Sequence, residues 1–217
     1  MKIDRMQAFS DGVYAILITI LVLDFKVPDY QAGHLLLALF KQWPTMFAYI
    51  ISFLYIGTIW LFHHDFFQTL KKTNASVNVI NLVMLFSVTL IDFPTALVAN
   101  TLISKNSADM QVAFIYYDFV ALFISFTFAW LYTYVRKHPE LTTMKANQKR
   151  FYAAIKYDPV RSVSIYGVAI LMTFISIWVG AMLLLAGIIY HFIAYLRLSY
   201  SIRHVFIFGE GPDRRNK

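Results

Sequence analysis

A chain of 217 residues that is 59% hydrophobic and only 14% charged lies far from soluble domains, which carry about 25% charged residues. With a mean hydropathy of +0.59 it reads as an all-α, polytopic integral membrane protein, and the absence of cysteine excludes disulfides, thiolate catalysis and cysteine-based zinc sites. The net charge of +7 sits between apolar segments, where it marks cytoplasmic loops and not a nucleic-acid surface.

A membrane-spanning helix needs about 20 largely apolar residues. Six intervals qualify: 6–25, 45–67, 76–100, 110–135, 160–179 and 181–199. The first lies within "RMQAFSDGVYAILITILVLDF" (5–25), where Arg5, Ser10 and Asp11 precede the apolar run 13–23. Lys2, Arg5 and that run also suggest a signal peptide. Ser10 and Asp11 interrupt that pattern and no convincing small-residue cleavage site follows, so a retained helix is the better reading. The segment "HLLLALFKQ" (34–42) is too short to cross and is expected to be an interfacial helix, with Pro44 opening a fresh helix. Between the last two intervals, "WVGAM" (178–182) predicts a tight turn with Gly180 as the break. No second copy of the opening motif occurs, so one six-helix domain over 1–217 is expected.

Placing the N-terminus inside puts every Lys and Arg except Lys26, Lys41 and Lys105 on the cytoplasmic side. That asymmetry predicts cytoplasmic N- and C-termini. The basic 136–161 loop, including "KANQKRFYAAIK" (145–156) as a short amphipathic helix, is expected to lie against anionic lipid.

Depth then explains the aspartate at the mouth of the first span. Asp11 lies six residues past Arg5, about 9 Å along a helix. His63 and His64 precede Lys71, and Asn81 follows Lys72, so they reach a similar depth. Ser10, Asp11, Trp60, His63, His64 and Asn81 can share one layer, because an ionisable group within a span turns inward and takes a partner. Asp11 is expected to accept from a histidine or from Asn81. Such a network either locks three helices together or positions a conducting element. Beyond it, with Ile16 at zero, Thr19 falls at about 300°, Ile20 at about 40° and Leu23 at about 340°. Phe9 and Gly12 extend this stripe, and Asp11, at about 220°, faces elsewhere. By spacing alone the stripe faces lipid, core or a pore. Asp92 and Asp118 fall toward the outer leaflet. Asp118 is expected to cap a helix or bond Tyr116 or Tyr117, and Asp92 stays open between that role and an outer vestibule.

The segment "RMQAFSDG" (5–12), continuing as "VYAILITILVLD", resembles the signature of the transmembrane protein 175 family of potassium channels. "IWLFHHDFF" (59–67) is similar to that family's Trp-and-His segment and "NVINLVMLF" (78–86) to its third helix. The resemblance implies a potassium-permeable channel in a prokaryotic cell membrane, a single-repeat subunit that forms a homotetramer, and a pore lined by the first helix. It maps the constriction onto Ile16, Thr19 or Ile20, and Leu23. It also makes Arg5, Phe9, Ser10, Asp11, Trp60, His63, His64 and Asn81 the packing network of the motif. The implied partners are further copies of the chain, lipid and K+, with no cofactor and no resident metal. Rings of Ile16, Ile20 and Leu23 form a greasy constriction of the kind that gates by dewetting, with Thr19 as its one polar group. The sequence holds no TVGYG filter, so discrimination of K+ from Na+ is expected to be modest.

Two rivals share these residues. A proton leak, or a proton-coupled secondary transporter, would use Asp11, His63 and His64 as a relay. A metalloenzyme is poorly served by "HH", whose imidazoles stand about 100° apart, unlike the i, i+4 pair of HExxH. Walker A, GxSxG and GxGxxG patterns are absent, leaving no support for an enzyme.

Overall fold

The computed structural model describes residues 2–142 and 157–208, with no side-chain detail for Pro159 and 201–208. The segment "KANQKRFYAAIK" (145–156) lies outside them. Helix α1 (Ile3–Ile20) tightens into a 3-10 turn at Leu21–Asp24. There follow α2 (Leu35–Lys41), α3 (Trp43–Gln68), α4 (Ala75–Thr89), α5 (Asp92–Ser104), α6 (Ser107–Lys137), α7 (Asp158–Thr173) and α8 (Ile177–Phe208). Among the described residues the only pairing of β type is an isolated bridge between Leu70 and Thr142.

Local chemistry sets the helix ends. Pro44 sits in the first turn of α3, where its missing N–H costs nothing. The Asn74 side chain caps α4 by accepting from Val77 N at 2.9 Å, and Asn106 caps α6 through the N–H groups of Ala108 and Asp109. Asp109 in the first turn and Arg136 and Lys137 in the last complement the α6 dipole. Lys105, at φ 56°, turns the chain sharply from α5 into α6.

Among the described residues, five helical stretches are long and apolar enough to cross a membrane: Ile3–Asp24, Trp43–Gln68, Ala75–Ser104, Ser107–Lys137 and Ile177–Tyr200. Helix α7, with 16 residues, is only about 24 Å long. The expected single helix over 76–100 is instead α4 and α5, broken at Leu90–Ile91. Pro94 is the cause: it has no N–H for the carbonyl of Leu90, and its ring crowds that carbonyl. The chain passes the break with a short Ile91 N to Val88 O bond at 3.1 Å.

The reversal between α7 and α8 also differs from expectation. It falls at Phe174–Ser176, so the helices meet near Thr173 and Ile177 and not at 179–181. Ile175 N and Ser176 N both bond Met172 O, and Gly180 lies inside α8. The glycine serves close approach, because a Cβ there would stand 2.8 Å from Thr173 Cβ and 2.9 Å from Thr173 Cα. Gly180→Val is therefore expected to destabilise the protein by about 1–3 kcal/mol through overpacking. Thermal unfolding of the detergent-solubilised protein checks this; an unchanged midpoint would show that the α7–α8 turn yields freely.

The core runs along the bundle axis. Tyr55, Ile56, Val88, Ala121, Ile124 and Tyr166 form its middle, with Phe67, Ile80, Met84, Leu131 and Val135 toward the basic end. Helix α1 packs chiefly on α3 and touches α4, and its other side is exposed among the described residues.

Candidate functional site

Helix α1 has two faces of opposite kind. Met6, Ser10, Tyr14, Leu17 and Leu21 recur every three or four residues and are buried. On the other side Phe9 is 55% exposed, Ile16 59%, Ile20 37% and Leu23 71%. Gly12 and Thr19 are exposed in the same row. In the 3-10 turn each residue advances about 120°, which carries Leu23 to a position directly above Ile20. The Thr19 hydroxyl donates to Ala15 O at 3.1 Å and Ile16 O at 2.8 Å. Its hydrogen is thus held by its own helix, and the oxygen stands on the exposed face of α1.

The opposite face is anchored by polar contacts in two branches. In the inner branch, Ser10 Oγ donates its one proton to Met6 O at 3.0 Å and must therefore accept from Asn81 Nδ2, also at 3.0 Å. That turns Asn81 Oδ1 toward His63 Nε2 at 2.8 Å, so Nε2 carries the hydrogen. His63 is fully buried, stacked on Phe67 at 4.1 Å and tilted against Tyr14 at 5.4 Å. Its Nδ1 has no hydrogen-bond partner among the described residues.

The outer branch is partly exposed. Trp60 Nε1 donates to Asp11 Oδ1 at 2.8 Å, and His64 Nδ1 lies 3.7 Å from the same oxygen. His64 is held between Gln7 at 3.1 Å and Gln68 at 2.7 Å.

These contacts correct the single network expected from depth. Asp11 takes the Trp60 indole, while Asn81 goes to Ser10 and His63. Arg5 and Phe9 belong to neither branch: both are exposed on the outer face of α1, because they lie in the same helical row as Gly12 and Ile16. Gln7 and Gln68 were not singled out from the sequence. Their signal was spacing, one residue four after His64 and the other one turn before Asp11. Asp118 differs from expectation too. It is completely buried with neither carboxylate oxygen bonded among the described residues, and the Tyr117 hydroxyl goes to Ser52 at 2.9 Å instead. Asp92 opens α5, where a carboxylate favours the helix N-terminus.

Chemically, then, α1 is a helix held by hydrogen bonds along one side, with a free aliphatic stripe and one hydroxyl along the other. Comparison with known proteins gives the arrangement a context. The family model for the endosomal/lysosomal potassium channel TMEM175 matches residues 5–92, which contain both branches and the stripe. A potassium channel of Chamaesiphon minutus is 35% identical over 182 residues, covering 81% of this chain and 86% of the relative. A potassium channel of Streptomyces collinus is 39% identical over 127 residues; the match spans 58% of this chain and 62% of that one. The crystal structure of a lysosomal potassium-selective channel TMEM175 homolog from Chamaesiphon minutus aligns with a TM-score of 0.77 at 32% identity, covering 89% of this chain and 97% of the homolog.

Proposed function

The chain belongs to the TMEM175 family of ion channels, and on that premise we propose that it forms a potassium-permeable pore as a homotetramer in a prokaryotic cell membrane. One observation carries the reading: the row Ile16, Ile20 and Leu23 stands exposed on α1 while the other side of that helix is fixed to α3 and α4. A single helix encloses no water path, so several subunits bring their rows to a common axis. Rings of these side chains make a constriction that excludes water when narrow. Thr19 offers its lone pairs to a cation that has shed part of its hydration, which favours the more easily dehydrated K+ over Na+ to a modest degree. In this arrangement α7 completes a sixth crossing and both termini face the cytoplasm, in keeping with the distribution of Lys and Arg.

Planar-bilayer recording of the purified protein, with K+ and Na+ on opposite sides, tests the proposal. A reversal potential displaced toward that of K+ is expected. Accumulation of the ion against its gradient would make the protein a transporter, and a potential that follows only the pH gradient would make it a proton leak through Asp11, His63 and His64. Thr19→Val keeps the shape but removes the oxygen, and the K+/Na+ permeability ratio should fall toward unity. An unchanged ratio would take Thr19 out of the ion path.

A further inference from the structure

The side of the subunit formed by α4 and α6 carries an open groove that neither the α1 stripe nor its anchors use. It holds about 350 Å³ and is lined by Ala75, Ser76, Val79 and Ile80 of α4 and by Trp130 and Tyr134 of α6. Ile80 is buried and forms the floor, while Val79 and Trp130 are exposed along the sides. Helical spacing extends the same channel. Phe86 stands seven residues beyond Val79 and Phe123 seven before Trp130, so each shares a face with the other residue of its helix, and the two rings meet edge to face at 6.4 Å. From Ser76 to Phe86 the groove is about 15 Å long at 1.5 Å per residue. A hydrocarbon core is about 30 Å thick, so this is the depth of one leaflet.

The end of the groove at Ser76 is polar. The Asn74 side chain gives its carbonyl to Val77 N and an amide hydrogen to the Tyr134 hydroxyl, both at 2.9 Å. Tyr134 is the acceptor in that bond and keeps its own hydrogen for a further oxygen, alongside the hydroxyl of the exposed Ser76. Lys137 is exposed and follows Tyr134 by three residues on α6, a spacing that puts the two Cβ atoms about 5–6 Å apart. Lys71 and Lys72 are exposed in the linker that leads into α4. Lys71 N bonds Leu141 O at 2.9 Å, which holds that linker against the chain leaving α6. The segments 69–76 and 133–142 that meet here carry Lys71, Lys72, Arg136 and Lys137 against a single acid, Glu140.

We infer that this groove binds an anionic phospholipid. Its phosphate takes hydrogen bonds from Ser76 and Tyr134, Lys137 balances its charge, and an acyl chain lies along Val79, Ile80 and Trp130 as far as Phe86 and Phe123. Basic clefts between membrane helices suit such headgroups. A zwitterionic lipid fits the same slot but brings an ammonium toward the lysines, so charge and not the chain separates the two. With the orientation proposed above, the bound lipid belongs to the cytoplasmic leaflet.

Native mass spectrometry of the intact, detergent-solubilised protein with phosphatidylglycerol and phosphatidylcholine of matched chains tests the site. Phosphatidylglycerol should bind about fivefold tighter, the value of one basic residue beside an anionic headgroup. Lys137→Gln should remove that advantage and leave phosphatidylcholine unchanged, Trp130→Ala should weaken both lipids alike, and Arg161→Gln, on α7, should change neither. A second measurement locates the lipid. Phosphatidylglycerol brominated on its chains should quench the fluorescence of Trp130, read as the difference between the unaltered protein and Trp130→Phe. Equal binding of the two lipids, or an unquenched Trp130, overturns the assignment. So does a loss in Arg161→Gln as large as that in Lys137→Gln, which would make the preference a property of the whole basic surface. A smaller oligomer in Trp130→Ala would also overturn it and give the groove to a contact between copies of the chain.

Discussion

Substituting Ile20 with asparagine is expected to raise the potassium current of the assembled protein by about tenfold, a change equivalent to about 1.4 kcal/mol in the barrier to ion passage. Exposing an isoleucine side chain to water costs about 1.5–3 kcal/mol, and a homotetramer places four at one level. Replacing that ring with amides removes the penalty for wetting the constriction and supplies oxygen to a partly hydrated ion. The folded subunit has little reason to object, because Ile20 lies on the outer face of α1 and not in the buried row of Tyr14, Leu17 and Leu21. Ile16→Ala and Leu23→Ala, which widen the ring without adding polarity, should alter current size or ion ratio by less. Bilayer currents normalised to protein incorporated are the measurement. If all three variants conduct and discriminate as the unaltered protein does, residues 16–23 face something other than the ion path.

The stripe was readable in advance because α1 obeys simple helical spacing: Ile16, Thr19 and Ile20 share a face whatever surrounds them. The depth of Asp11, His63, His64 and Asn81 was readable for the same reason, since rise per residue along a helix is fixed. Their pairing was not. Which of two imidazoles meets Asn81 depends on how α3 is rotated against α1 and α4, and packing over the whole helix length sets that rotation. Gly180 shows a related ambiguity. A glycine in an apolar segment signals either a break or a close approach, and only the partner, Thr173, decides between them. Pro94 was visible as an interruption near the end of the third span, but the point where the helix stops and restarts was not, because a proline can begin a new helix or merely bend an old one.

Breaking the inner branch should cost more stability than breaking the outer one. Asn81→Leu removes the acceptor of His63 Nε2–H and the donor to Ser10, both at fully buried sites. One orphaned buried group costs about 1–3 kcal/mol. Asp11→Ala removes the acceptor of Trp60, but that bond is partly exposed and water can replace the carboxylate. The thermal midpoint in detergent is therefore expected to fall further for Asn81→Leu than for Asp11→Ala, with Ile20→Asn nearest the unaltered protein. Adding His63→Phe to Asn81→Leu should recover part of the loss, because an apolar pair leaves no donor stranded, and a phenyl ring retains the stack on Phe67. Non-additivity in that double-mutant cycle is the quantity to measure. Strictly additive losses would mean that the His63–Asn81 bond contributes nothing beyond packing. A larger fall for Asp11→Ala would move the principal anchor of α1 to Trp60. Whichever branch dominates, protein that survives either substitution should keep its K+/Na+ ratio, since both branches lie on the side of α1 turned away from the stripe.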